Sequence, residues 1–377
     1  MTGPLAGLRV VELAGIGPAP FAGMVLADLG ADVTRVDRPG VPNAAARMEV
    51  LNRGRRSIAV DLKHPDAAAV VLRLVAGADA LIEGFRPGVA ERLGVGPDPC
   101  LARNPRLVYG RMTGWGQEGP YAAEAGHDIT YAAVAGALAH IGRAGQPPTP
   151  PLNLVADFGG GGMLLALGVV SAVLAAQRTG GGQVVDAAMV DGVALLMAPF
   201  FVGFRSGYFS DDRGTNLLDS GAPFYDCYAC ADGRYVAVGA LEPQFFAALL
   251  AGLGLDPGEL GPQYDRAGWP AMRRRLAERF AARARDEWVA LFAGRDACVA
   301  PVLTTGETAA DPHLAARGTV VEVAGVPQPA PAPRFSATPA ALGLPPPGPG
   351  EHTDEILSGA GYSPSEIAAL RAAGTVA

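Results

Sequence analysis

Apolar residues open this chain as two short runs divided by a glycine- and proline-rich break and a stretch of helical spacing. Leu8-Arg9-Val10-Val11-Glu12-Leu13-Ala14 reads as a strand, Gly15-Ile16-Gly17-Pro18-Ala19-Pro20 as a turn, residues 21–30 as a helix, and Ala31-Asp32-Val33-Thr34-Arg35-Val36-Asp37 as a second strand. Strand, glycine turn, helix and strand in that order predict a βαβ unit with a parallel sheet. Ser57-Ile58-Ala59-Val60-Asp61-Leu62 and residues 78–83 continue as strands, the latter running into the loop Gly84-Phe85-Arg86-Pro87, and residues 107–112 add a further strand. Ligands of such sheets bind at the carboxyl ends of the strands. Arg38, Arg53, Arg55 and Arg86 are expected near that rim.

The rhythm changes after Gly221. Residues 225–228, the turn Ala231-Asp232-Gly233 and residues 235–239 predict a hairpin, followed by amphipathic helices through Phe292. The proline-rich stretch 326–350 reads as an extended strap, and Ser363-Pro364-Ser365-Glu366 as a capping box opening a last helix. The expected fold class is α/β: a Rossmann-like large domain at 1–200 completed by 330–377, a linker at 201–224, a small α+β domain at 225–315, and a returning linker at 316–350. No internal repeat is visible.

At 377 residues and 49% hydrophobic, the chain can bury a large core. Its first residues lack a basic segment followed by an apolar one, and its last three are no peroxisomal address, so the expected location is the cytoplasm. The apolar run 158–176 reaches spanning length only by counting glycines, which predicts a buried helix and no membrane span. Four scattered cysteines make no disulfide framework. Cys227-Tyr228-Ala229-Cys230 has redox spacing, but it lies in a predicted strand with no helix start to lower a thiol pKa. The histidines show no metal-ligand spacing, so no metal is expected.

A net charge of −7 excludes a general nucleic-acid binder. Between Arg35 and Lys63, however, seven basic residues (Arg35, Arg38, Arg47, Arg53, Arg55, Arg56, Lys63) face three acidic ones, a local charge of +4. Such an island suits a polyphosphate ligand or, equally, a solvated loop face. Lys63 is the only lysine, which leaves Schiff-base chemistry almost no candidate. Gly15, Gly17 and Asp37 invite a dinucleotide reading, but Pro20 stands where the third glycine belongs. A nucleotide-binding module without catalysis is therefore the weakest of the readings.

Two residues carry candidate chemistry. Asp157 precedes four glycines, Gly159 to Gly162, and a long apolar run; a helix starting there would aim N–H groups at an anion. His127, in Gly126-His127-Asp128-Ile129-Thr130-Tyr131, follows a Gly/Pro-rich loop. One imidazole and one carboxylate suggest two opposed proton carriers. Taken singly, Asp157 reads as a helix cap and His127 as an ordinary helix-start histidine.

Residues 7–13 with 29–33, the strap 83–88, 112–117, 126–129, 151–157, 185–192, 239–245 and 350–353 together resemble the class III CoA-transferase family (CaiB/BaiF type), in its α-methylacyl-CoA racemase branch. The resemblance covers essentially the whole chain. It implies an interlocked homodimer, with each site between the large domain of one subunit and the small domain of the other, and no cofactor beyond the CoA of the acyl-CoA substrate. It implies that His127 and Asp157 exchange the α-proton, working on the (S) and (R) epimers respectively, with Glu242 paired to the imidazole. It assigns the CoA to Arg38, Arg53, Arg55 and Arg56 at the phosphates, to Val60, Gly84, Phe85 and Arg86 along the nucleotide, and to Arg92; Tyr131 lines the thioester side, Gly126 and Asp128 are further substrate-binding candidates, and Asp128 reads also as a structural residue. The transferase branch instead uses the Asp157 position as a nucleophile that forms a mixed anhydride. An enolate oxygen needs N–H donors, which the 157–162 segment is expected to help supply.

Overall fold

The computed structural model describes residues 2–40, 46, 49–323 and 325–377; Arg47 of the basic island lies outside them. The chain divides into two compact units, one of residues 1–135, 151–196 and 317–377, the other of 136–150 and 197–316.

In the first unit, β1 (Arg9–Leu13), β2 (Asp32–Asp37), β3 (Arg55–Ala59), β4 (Ala80–Glu83), β5 (Val108–Thr113) and β6 (Gln183–Ala188) form one sheet in the order β3-β2-β1-β4-β5-β6. All its pairings are parallel. The central strands β1, β4 and β5 are almost wholly buried, as parallel strands covered on both faces are. These helices include α1 (Pro18–Asp28) and α2 (Ala67–Val75), with the short α3 (Val89–Arg92) and α4 (Pro97–Arg103). Strand order reverses between β1 and β4, which opens the crevice where such sheets bind ligands. Both the Gly15–Pro18 turn after β1 and the 84–87 strap after β4 emerge there.

β3 begins two residues earlier than its apolar run suggested. That places Arg55 inside the strand and Arg53 before it, at the amino end of the sheet rather than at the carboxyl rim. β6 was not anticipated; its short apolar pair Val184-Val185 stands between Gln183 and Asp186 and makes no long apolar run.

α5 (Asp128–Val134) follows, and then a helical stretch from Leu154 to Thr179 that begins as π-helix (Leu154–Gly162) and continues as α6 (Met163–Thr179), before α7 (Met189–Leu196). This 26-residue helix is long and apolar enough to cross a membrane by length and composition. It is not wholly buried as expected: Leu165 and Val169 pack on Gly110 of β5, while Met163, Leu167 and Leu174 are exposed. The proline-rich tail begins as a hairpin, β10 (Val320–Val323) with β11 (Val326–Pro329), then runs past Gly54 to α12 (Thr353–Gly359) and α13 (Pro364–Ala372). Ser363 and Glu366 close the capping box at α13.

In the second unit, α8 (Ala198–Arg205) comes first, and the hairpin β7 (Tyr225–Ala229) and β8 (Tyr235–Gly239) gains a third strand, β9 (Val299–Pro301). Tyr228, Val236 and Val238 bury one face against α9 (Pro243–Leu253), α10 (Trp269–Phe280) and α11 (Arg285–Phe292). Cys227 is exposed and Cys230 buried, so strand alternation keeps the two thiols apart.

Candidate active site

A cavity of about 430 Å³ at the β1/β4 crevice is lined by Gly17, Gly84, Phe85, Arg86, Gly126, His127, Tyr131, Asn153 and Asp157, among others, all from the first unit. His127 is the N-cap of α5 and is exposed. Its own N–H donates to Thr130 Oγ1 at 3.0 Å, and its carbonyl accepts from Thr130 N at 2.8 Å, so the helix start pins the imidazole's backbone.

Asp157 sits within the π-helix, not before a helix as the sequence suggested. The glycines behind it are packing positions. A Cβ on Gly160 would lie 2.8 Å from Val193 N, on Gly161 2.8 Å from Met189 Cγ, and on Gly162 2.7 Å from Pro18 O. Only hydrogen at these positions lets the helix approach α1 and α7 so closely. Gly17, at φ 69°, faces the carboxylate: a Cβ there would stand 3.5 Å from Asp157 Oδ2. Burial raises the Asp157 pKa and the Asp128 charge adds to it, against the Asn153 amide (3.2 Å) and the His127 charge, which lower it. A carboxylate pushed up in this way is a better base at neutral pH.

Asp128 is buried, and its Oδ2 accepts the N–H groups of both Ala156 and Asp157, at 2.7 and 2.8 Å. Its side chain is therefore a strut between the two candidate bases. The same bonds use N–H groups beside the segment expected to receive an enolate oxygen, and Gly159 to Gly162 stand inside the helix. Asp128→Ala leaves a buried and a part-buried N–H donor unpaired, the buried one costing about 1–3 kcal/mol. Its urea midpoint and its kcat for α-proton exchange should both drop, and a variant with unchanged kcat would show the strut to be dispensable.

Tyr131 is clamped between glycines. A Cβ on Gly114 would lie 2.1 Å from its ring and one on Gly126 2.5 Å, while Trp115 packs edge-on at 4.7 Å. Burial raises its pKa, and the Asp157 charge adds to it. The ring is a fixed wall.

The basic island separates. Arg53 is 3% exposed, bound to Asp28 at 2.5 Å, Gln328 at 2.8 Å and the Pro329 carbonyl at 2.8 Å. Arg55 is fully buried, 2.6 Å from Glu12 and bonded to the Leu51 and Pro20 carbonyls. Arg56 joins Asp32 and Glu355, each at 2.8 Å. These three guanidiniums hold the fold together, which corrects their expected phosphate role. Val60 is buried in the core under a bridge to Val376. Arg38, Arg86 and Arg92 remain exposed at the carboxyl side of the sheet. Glu242 is exposed as the N-cap of α9 in the second unit and is not among the residues that line the cavity.

Asn153 was missed from sequence. Its spacing of four from Asp157 is the signal, and it is hidden if the segment is read as a loop. Among the described residues no group of three or more His, Cys, Asp or Glu side chains is arranged to hold a metal.

With this fold and this crevice, the chain belongs to CoA-transferase family III, whose pattern it matches over residues 5–353. It is 48% identical over 368 residues to alpha-methylacyl-CoA racemase of Mus musculus, covering 97% of this chain and 96% of that protein. The Homo sapiens alpha-methylacyl-CoA racemase is 48% identical over 366 residues, covering 96% and 95%. Among solved structures, a CAIB/BAIF family protein from Brucella suis has a TM-score of 0.83 at 30% identity, covering 96% of this chain and 100% of that one.

Proposed function

We propose that this protein interconverts (R)- and (S)-2-methylacyl-CoA thioesters. The observation that carries this reading is the meeting of His127 and Asp157 in one cavity, tied through Asp128. The 48% identity to alpha-methylacyl-CoA racemases supports it. One base removes the α-proton and its electron pair moves into the thioester as an enolate. The other base returns a proton on the opposite face, so nothing is consumed. His127 serves the (S) epimer and Asp157 the (R) epimer. Of the arginines assigned to the CoA, the exposed Arg38, Arg86 and Arg92 are placed to meet its phosphates.

The site is completed in an interlocked homodimer, where the second chain's small domain brings Glu242 to the imidazole, fixing its tautomer. The exposed Met163, Leu167, Leu174, Leu195 and Leu196 of the first unit and Phe201 and Val202 of the second support a covered assembly. The large domain at 1–200 with 330–377, the linkers at 201–224 and 316–350 and the small domain at 225–315 are proposed as the parts that interlock.

The alternative is a CoA-transferase in which Asp157 attacks the thioester. Incubating a single epimer in deuterated water with no acceptor acid decides between them. α-Deuterium with loss of configuration is expected. Absence of exchange, with CoA transfer once a carboxylic acid is supplied, would establish the transferase instead.

A further inference from the structure

Glu83, the last residue of β4, has no exposed surface, yet it is a carboxylate directly under the strap that lines the cavity. Across the sheet it stands opposite Arg111 of β5, and Oε1 accepts from Arg111 Nε at 3.1 Å. Its other oxygen, Oε2, folds forward and accepts the Phe85 N–H at 2.6 Å. Arg111 reaches onward to Glu91 of α3 at 2.9 Å. The strap is pressed from the other side: a Cβ on Gly84 would lie 3.3 Å from Ala19 of α1.

The sheet itself has no need of this carboxylate. The preceding strand positions Leu81 and Ile82 are buried and apolar, and burying an ion pair is generally no more stabilising than burying apolar side chains of similar size. What the carboxylate does that a leucine would not is fix a backbone N–H in the turn where β4 gives way to the ligand-facing strap. A hydrogen bond to an ionised acceptor is short and strong, and it holds a turn in one geometry.

We propose that Glu83 is a positioning residue for the CoA thioester: braced by Arg111, it sets the backbone of residues 84–87 against the cavity, and so governs affinity for the CoA part of the ligand and not the proton transfer. The choice of ligand rests on the acyl-CoA reading above; the brace itself rests on the contacts just described.

The brace also carries a pH dependence. Burial pushes the Glu83 carboxyl up to about 7, the Phe85 N–H and Arg111 pull it down, and Glu91 pushes it up again. The groups facing it are Arg111 and Tyr109 from β5, Glu91 from α3 and the strap N–H. The anion is the stronger acceptor, so the strap is held firmly above neutrality and loosens below it. CoA affinity should rise with pH through this range.

The test is calorimetric titration of the full-length protein with CoA across neutral pH, using wild type, Glu83→Gln and Glu91→Gln. Loss of one charge-assisted hydrogen bond predicts that Glu83→Gln binds CoA roughly tenfold more weakly on the alkaline side, with a flatter pH profile. Its kcat for α-exchange at saturation should stay within about twofold of wild type, the signature of lost binding rather than lost chemistry. Glu91→Gln removes a charge that raises Glu83, so the midpoint of its affinity profile should move to lower pH. Unchanged CoA affinity in Glu83→Gln, or a kcat loss as large as the loss in kcat/KM, would overturn the inference. If Glu83→Gln does not fold, an unmoved midpoint in Glu91→Gln overturns it alone. A wild type that binds CoA but exchanges no α-proton would count against the racemase reading only, because these titrations require no turnover.

Discussion

Racemisation by His127→Ala and by Asp157→Ala is expected to fall by about a thousandfold, the contribution of one positioned acid–base group. Both variants should fold. His127 is an exposed N-cap whose backbone is held by Thr130. The Asp157 carboxylate is held at an energetic cost, since burial raises its pKa. The residual activity should be one-sided. With Asp157 gone, His127 still removes and replaces the α-proton of the (S) epimer, so deuterium enters (S)-2-methylacyl-CoA with its configuration kept. With His127 gone, the (R) epimer exchanges instead. Mass spectrometry combined with chiral separation reads both quantities. Equal and complete loss of exchange from both epimers in both variants would contradict a division of labour between two bases.

The second large effect is on stability. Glu12 of β1 is fully buried between two guanidiniums, Arg35 of β2 at 2.5 Å and Arg55 of β3 at 2.6 Å. Asp37 binds Arg35 at 2.9 Å and accepts from Ser57 Oγ at 2.6 Å. Burial holds the Arg55 pKa below its usual range, opposed by Glu12 and reinforced by the charge of Arg35. Gly23 of α1 leaves the space: a Cβ there would stand 2.3 Å from Glu12 Oε2. Glu12→Gln leaves two buried cations with one carboxylate between them, a loss of about 3–5 kcal/mol. Guanidinium unfolding at fixed protein concentration should show it as a lower midpoint at constant slope. The double variant Glu12→Leu, Arg55→Met should recover much of the loss, because it removes the unpaired charge rather than exposing it. A single-variant loss below about 1 kcal/mol would mean that water reaches the cluster.

The buried network explains why charge counting misread the basic island. A +4 segment is visible in the sequence, but charge alone leaves open whether an arginine meets a ligand or another part of the chain. Arg53 finds Gln328 at a separation of 275 residues and Arg56 finds Glu355 at 299. No local pattern marks such partners. Arg38 and Arg86, which follow the ends of β2 and β4, escaped this fate because the carboxyl edge of the sheet opens onto the crevice.

Much else was legible because its cause is local. The order of strand, glycine turn and helix defined the βαβ start, since backbone geometry and apolar period act within a few residues. The capping box at Ser363 is such a feature, as is the helix beginning at His127. The tertiary structure decided what depends on packing across the chain. It put Asp157 inside a helix, because Gly160, Gly161 and Gly162 let that helix press on α1 and α7. It showed what Asp128 does structurally: its side chain is the strut that holds Asp157, 29 residues away. It placed Glu83 under the strap, where burial pushes the carboxyl up to about 7 against the pull of the Phe85 N–H and Arg111. Sequence by itself determined which residue types stand at the ends of the strands; only the closed fold determined which of them face the cavity and which are spent on one another, because desolvation and pairing are set by neighbours that the chain brings together from far apart.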